Sequence, residues 1–259
     1  MSTTPYNINA VSVNHNTSSY MELMLRLLFA CHPKEMHLSL TVFDNQSTDD
    51  TSELFAYAAR ANVPIMQSGW SLQTHGNSHG NILRRFLLNH PDCSHYLFLD
   101  ADVVFIQPNT IQTMIDELER APDAFGIGSC MSWDGVNDIP AVIREENPDI
   151  CDARLHPCCA LVRNIPLSRR VVEILGLSCV TYHWADRDEY LDTFKLMTKV
   201  MQTHGLKHTF SSALIQHFFC TSYAWDTEEI RQRKAEMRDQ RLNDLRAVER
   251  QFNNDTALG

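Results

Sequence analysis

Residues 96–105 read YLFLDADVVF, which sets two carboxylates, Asp100 and Asp102, one residue apart in an otherwise apolar run. The flanks, Tyr96 to Leu99 and Val103 to Phe105, suit a strand covered on both faces. An ionised carboxylate buried without a partner costs several kcal/mol, so the pair needs a physical reason. Either the strand ends at Leu99 and the acids open a solvated turn, or a cation sits at the strand's C-terminal end. A hard dication takes oxygen ligands, and Mg²⁺ or Mn²⁺ commonly joins protein carboxylates to phosphate oxygens. A further acid, Asp44 in DNQSTDDT, follows another apolar run and could accept hydrogen bonds from a base or ribose. The plain alternative is that Asp44 and Asn45 form a turn.

The elements that must position these groups are visible in the periodicity. Ala10–Val13, Leu38–Phe43, Val63–Met66 and the 96–105 stretch read as strands. Helices are expected over Tyr20–Cys31, Asp49–Ala61 (capped by Ser47 or Thr48) and Ile82–Asn89, with another after Pro108. Strand and helix alternate with short connections, which predicts an α/β fold: an open, mainly parallel sheet with helices on both faces. Ligands bind such sheets beyond the strands' carboxyl ends. NHNTSS, DNQSTDD and Asp100/Asp102 all follow strands and are expected to converge on one edge.

The second half is less regular. Strands are expected at Phe125–Met131, His156–Val162 and Leu214–Phe219, a mobile loop over 133–152, and a helix from Glu189 to His204. Beyond Asp226 the charges are dense and the apolar stripe thin, so residues 226–259 read as a C-terminal charged surface helix and tail, with a homodimer contact as one use for it.

The chain has 259 residues, 44% of them hydrophobic, and a formal net charge of −10. That charge argues against a nucleic-acid surface, which wants clustered Lys and Arg. The eight cysteines show no C-x-x-C pair and no zinc spacing, so they read as reduced and mostly buried. The opening MSTTPYNINA lacks the parts of a signal peptide, and no apolar run approaches the ~20 residues of a membrane span. A cytoplasmic protein is the expectation.

VSVNHNTSSYMELMLRLL followed by VFDNQSTDDT resembles the opening of family-2-type glycosyltransferases with the GT-A fold. The Gly- and Asn-bearing HGNSHGNIL and the strand FLDADVVF match the family's next two features in order, so the resemblance covers about residues 10–106. It implies a single Rossmann-like GT-A domain over 1–225, with a donor half at about 10–106 and an acceptor half at about 107–225. It implies a nucleoside diphosphate sugar as donor and Mn²⁺ or Mg²⁺ as cofactor. Asn14 and Asn16 would lie near the base, Asp44 would take base or ribose, and Asn81 would lie near ribose and sugar. Asp100 would sit near ribose or sugar, and Asp102 would be the metal ligand. GT-A enzymes often add a late histidine to the metal, and His217 in IQHFFCTSY is placed to supply it; the plain reading is a satisfied core histidine.

The implied reaction moves the sugar to a hydroxyl-bearing acceptor with inversion, which needs a general base. DRDEYLDTFKLMTKVMQTHG resembles the family's acidic stretch at the start of a helix, with Asp192 first among candidates and Asp188 and Glu189 as rivals. All three acids could instead simply favour a helix N-terminus, and the family's frequent Glu-Asp pair is absent. His156 and Trp184 could line an acceptor pocket, or pack. Two rival functions remain: a sugar nucleotidyltransferase, although NHNTSS lacks that class's Gly-rich basic loop, and a nucleotide-sugar binding protein without turnover. Gly76 and Gly80 belong to neither a Walker loop nor a G-x-G-x-x-G motif, and could serve only to relieve loop strain.

Overall fold

The computed structural model describes residues 6–32, 36–69, 78–150, 153–221 and 226–257. In its first half, strands and helices alternate as the periodicity requires. Strand β1 (Ile8–Asn14) leads into α1 (Ser18–Cys31), and β2 (Leu38–Asp44) into α2 (Ser52–Arg60). Then come β3 (Ile65–Gln67), α3 (Ser78–Asn89) and β4 (His95–Asp100). A short β5 (Val103–Phe105) precedes α4 (Thr110–Glu119) and β6 (Ala124–Ser132).

The second half runs α5 (Ala141–Glu146), β7 (Cys159–Arg163), α6 (Pro166–Leu175), β8 (Val180–His183) and β9 (Asp188–Leu191). It ends with α7 (Lys195–Thr203), β10 (Lys207–His217) and a long α8 (Glu228–Ala257). Eight strands form one sheet in the order β3-β2-β1-β4-β7-β6-β10-β5, while β8 and β9 form a separate hairpin. β3, β2, β1 and β4 run parallel; β7 is antiparallel between β4 and β6; β10 runs parallel to β6.

Period-2 alternation assigns each strand residue a face. Leu97 and Leu99 join Ile8 and Ala10 under α1, α2 and α4, where Met21, Met24, Leu54 and Met114 pack. Tyr96 and Phe98 turn the other way, with Val11, under α3, α6 and α7, where Phe86, Val172 and Met197 pack. Each such fully buried side chain contributes ~1.5–3 kcal/mol, so both layers hold the central strands in fixed register.

Several expectations are corrected. YLFLDADVVF is not one strand: β4 ends at Asp100, Ala101 and Asp102 form a turn, and β5 pairs antiparallel with β10 at the far edge of the sheet. The expected helix Glu189–His204 starts only at Lys195. Asp188–Leu191 is a strand, and Phe194 stands in the left-handed region (φ 71°), which stops a helix from running through. The residue before α2 is Thr51, with no side-chain cap bond; Ser47 and Thr48 are engaged elsewhere. Within the expected loop 133–152, residues 141–150 form α5 and a 3₁₀ turn, while 151–152 lie outside the described residues. The strand expected from His156 starts at Cys159, and the last strand starts at Lys207 rather than Leu214.

Cys158 and Cys159 are buried free thiols, and Cys151 lies outside the described residues. Among the described residues no helix is long and apolar enough to cross a membrane.

Candidate functional site

Parallel register brings the strand ends together. Asn14 pairs with Asp44 across β1 and β2, and Val13 pairs with Asp100 across β1 and β4, so all these termini lie on one edge. Because the chain turns at Ala101, Asp102 faces back toward His217, whose Cα partners Val103. His217 Nε2 lies 3.1 Å from Asp102 Oδ1 and 3.7 Å from Asp100 Oδ2. Thr221 Oγ1 donates to the other oxygen of Asp102 at 2.9 Å. One donor atom from each of Asp100, Asp102 and His217 falls within 4.8 Å of the others.

Burial is the largest influence on all three groups. It raises the Asp100 carboxyl above its usual range, although His217 and His79 offset part of the effect. At Asp102 burial also pushes upward, but His217 and the bonds from His217 and Thr221 outweigh it and hold the carboxyl low. At His217 burial pushes downward, and the two aspartates overcome it and raise the imidazole. The cluster thus confines two carboxylates with one imidazole, and His217 Nδ1 is buried without a hydrogen-bond partner. Two carboxylate oxygens and one imidazole nitrogen converging with excess negative charge fit a small dication.

The rest of the edge is polar and interlocked. Asn14 Nδ2 lies within bonding distance of Ser18 Oγ (3.0 Å), Asp44 Oδ1 (3.1 Å) and Ser47 Oγ (3.0 Å). Asp44, 4% exposed, also accepts from Gln67 Nε2 at 3.2 Å. Asn16, at positive φ, accepts from the Thr48 amide at 2.7 Å and so closes the NHNTSS turn onto the DNQSTDD turn. Asn81 accepts from Ser178 Oγ at 3.3 Å. A Cβ on Gly80 would stand 2.4 Å from the Ser178 backbone, so this glycine permits a close approach. Gly76 lies outside the described residues.

Thus Asn14 and Asp44 meet, Asp100, Asp102 and His217 meet, Asn16 ties the two turns after β1 and β2, and Asn81, inside α3, bonds Ser178. Three contributors escaped the sequence reading. His79 stands 3.9 Å from Asp100, Thr221 bonds Asp102, and Arg154 carries its charge to Asp100. Only His79 had a signal, its place in HGNSHGN.

On the acceptor side the expected acids are dispersed. Asp188 bonds His183 Nδ1 (2.9 Å) on the exposed hairpin. Glu189 accepts from Lys199 (3.1 Å) and from the Trp184 indole (3.3 Å). Asp192 forms an ion pair of 2.7 Å with the buried Arg154, which also donates to the carbonyls of Asp149 and Thr193. His156 stands against His217 (ring centroids 5.7 Å apart). Its Nδ1 accepts the Cys158 amide at 3.2 Å, which fixes the neutral tautomer with its proton on Nε2. Burial, then Arg154, keep that ring well below the usual histidine range. Trp184 stacks on Tyr182 and is 53% exposed, away from the packed core.

No protein-family model matches the sequence, and no curated protein matches it. Solved structures do. The mannosyltransferase PcManGT from Pyrobaculum calidifontis, in complex with GDP-Man and Mn²⁺, superposes with a TM-score of 0.54 at 13% identity. That match covers 83% of this chain and 57% of the other. TarS from S. aureus gives a TM-score of 0.58 at 15% identity, covering 83% of this chain and 37% of that one. Mannosyl-3-phosphoglycerate synthase from Rubrobacter xylanophilus gives 0.51 at 12% identity, with 97% and 75% covered. This chain therefore spans less than two thirds of the length of the first two. These likenesses show the fold, and the expected GT-A architecture is the one observed.

Proposed function

We propose that the chain is a metal-dependent glycosyltransferase that moves a sugar from a nucleoside diphosphate sugar to a hydroxyl-bearing acceptor. The observation that carries this reading is the convergence of Asp100, Asp102 and His217 at the carboxyl edge of the parallel strands. Such an edge is where α/β sheets of this kind take ligands. The ligands printed for one matching structure, GDP-Man and Mn²⁺, agree with it.

Asp102 and His217, with Asp100, would hold the cation. An imidazole in the donor set favours Mn²⁺ over Mg²⁺, which prefers an all-oxygen shell and retains its waters. A dication bound there supplies positive charge to the diphosphate oxygens as the diphosphate leaves. Thr221 and His217 orient Asp102 from both sides. Asp44 uses part of its capacity on Asn14 and Gln67, and a carboxylate accepts about four hydrogen bonds, so it can still accept from a ribose or base. His156 presents a neutral Nε2–H beside the cluster.

Inversion is part of the same reading, with the base drawn from Asp188, Glu189 and Asp192. The contact that supports Asp192 among them is Arg154, whose charge also reaches Asp100. The anomeric configuration of the product, read by NMR, tests it; a retained configuration removes the need for any of the three as base.

The primary test is calorimetric titration of nucleoside diphosphates and their sugars, with Mn²⁺ and with chelator, on wild type and Asp102→Asn. Binding that needs both the metal and Asp102 is expected. Binding indifferent to both would overturn the reading. Release or transfer of sugar from the bound donor separates a transferase from a nucleotide-sugar binding protein.

A further inference from the structure

The C-terminal helix was expected to be a surface appendage, yet its contacts run to the back of the metal cluster. Residues 217–221 form a strap. His217 contributes a candidate ligand, and the Phe218 amide donates to the Asp102 carbonyl at 3.1 Å. The Phe219 ring lies against the His217 imidazole at 3.8 Å, and Thr221 bonds Asp102. Besides His217 itself, three of the next four residues therefore touch the cluster.

To make those contacts the strap reverses direction through two successive left-handed residues, Phe219 (φ 53°) and Cys220 (φ 52°). Residues with a Cβ avoid that region, and consecutive examples persist only where surroundings impose them. What imposes this one comes from α8. Lys234 Nζ donates to the Phe219 carbonyl at 2.7 Å and pairs with Asp226 Oδ2 at 2.5 Å. Nearby, α8 packs Leu242 against Tyr20, Leu23, Val104 and Phe218, and places Met237 against Gln216. Farther along, Arg246 forks onto the buried Glu22 of α1 at 2.7 and 2.9 Å.

We infer that Lys234 is a positioning residue for the cation: by holding the Phe219 carbonyl it keeps the left-handed turn that aligns His217 and Thr221 on Asp102. This rests on the proposed metal site and extends it to a helix that supplies no ligand. Without Lys234 the Phe219 carbonyl loses its donor, the turn relaxes toward right-handed backbone, and both the imidazole and the Thr221 hydroxyl leave their places.

The probe is Mn²⁺ alone, titrated by calorimetry into the full chain, so no donor or acceptor need be known. Lys234→Met is expected to weaken Mn²⁺ binding ~10–100-fold, the range found when groups that orient metal ligands are removed. Lys234→Arg, which keeps a donor within reach, is expected to recover most of that loss. Cys220→Gly in the Lys234→Met background is expected to recover part of it, because glycine adopts positive φ without strain; a residue that only docked the helix would not be rescued at position 220. Arg246→Met, which cuts a different polar tie of α8, is expected to leave Mn²⁺ affinity near wild type.

Wild-type affinity in Lys234→Met, or an equal loss in Arg246→Met, would overturn the inference. Failure of wild type itself to bind Mn²⁺ would overturn the metal site and this role with it, and is told apart by the wild-type arm. Should Lys234→Met not fold, Lys234→Leu, which likewise removes the donor, carries the same comparison.

Discussion

Two groups of acids in this chain look alike on paper and differ in three dimensions. Asp100 and Asp102 end a buried strand, and the fold brings His217 to them from 115 residues away. Asp188, Glu189 and Asp192 sit around a hairpin, the first two matched by a cation or donor close by in sequence and Asp192 by the distant Arg154. In the first group burial opposes ionisation, and only the meeting of distant segments offsets it. In the second, Asp188 and Glu189 stay in water, so pairing is local and needs no ligand. Acids that the fold gathers at a cost mark a site more reliably than acids that are merely close in sequence.

The sharpest test of that difference is Asp102→Asn, which keeps shape and removes charge. Mn²⁺-dependent nucleotide binding should be lost, and transfer should fall by about two to three orders of magnitude, the scale of losing one charge-stabilising group. A variant that still bound nucleotide in a metal-dependent way would place the cation elsewhere and erase the distinction.

His95, at the other end of β4, shows what burial does without two carboxylates. It is 3% exposed, and burial drives its imidazole down to about 4, because the facing Glu119 is opposed by Arg163. His217 meets similar burial but two aspartates, and moves up instead. A depressed histidine binds its proton in the unfolded chain first. Stability should therefore fall as pH drops from the ordinary value of 6.5 toward about 4, and level off below. The loss is up to roughly 3 kcal/mol, from ~1.4 kcal/mol per unit. Chemical denaturation across that window, in wild type and His95→Phe, checks it: the variant should lack this component of the slope.

What the sequence disclosed follows the same division. β1, β2 and β4 were legible because each is buried by its own apolar residues, β3 only as a short apolar run on the exposed edge, and Asp44 and Asp100 as acids at strand ends. The break inside YLFLDADVVF was not, since Val103 to Phe105 are as apolar as Tyr96 to Leu99 and only pairing with β10 separates them. Leu191, Phe194, Met197 and Met201 imitate one helical stripe and are all buried, yet Leu191 belongs to a strand and Phe194 to a left-handed turn. Arg154 and Thr221 reach their partners across 39 and 119 residues, and no local pattern announces such bonds.

Asp192 lies between the two groups, and its variant shows which it joins. Its carboxylate is about a third exposed, but its partner Arg154 is almost wholly buried. Asp192→Asn should cost ~1–2 kcal/mol, less than breaking a fully buried pair because water reaches one end. If Asp192 serves only to hold Arg154, loss of stability will accompany a modest fall in kcat. A fall of ~10²–10⁴ in kcat at unchanged stability is instead the mark of a general base.

Glu189 should show the least. Its carboxylate is 36% exposed and faces Lys199, itself 47% exposed, so water and salt screen the pair and it adds little to stability. Lys199 is the largest influence holding Glu189 below the usual carboxylate range, and its slight burial does not offset that toward a working base. Glu189→Gln should therefore leave kcat and KM within about twofold of wild type and shift Tm by no more than a few degrees. The comparison breaks here more readily than anywhere else. A hundredfold loss of kcat with Tm unchanged would mean that the hairpin carries the chemistry in spite of its exposure, and that local pairing had concealed a second site-forming acid.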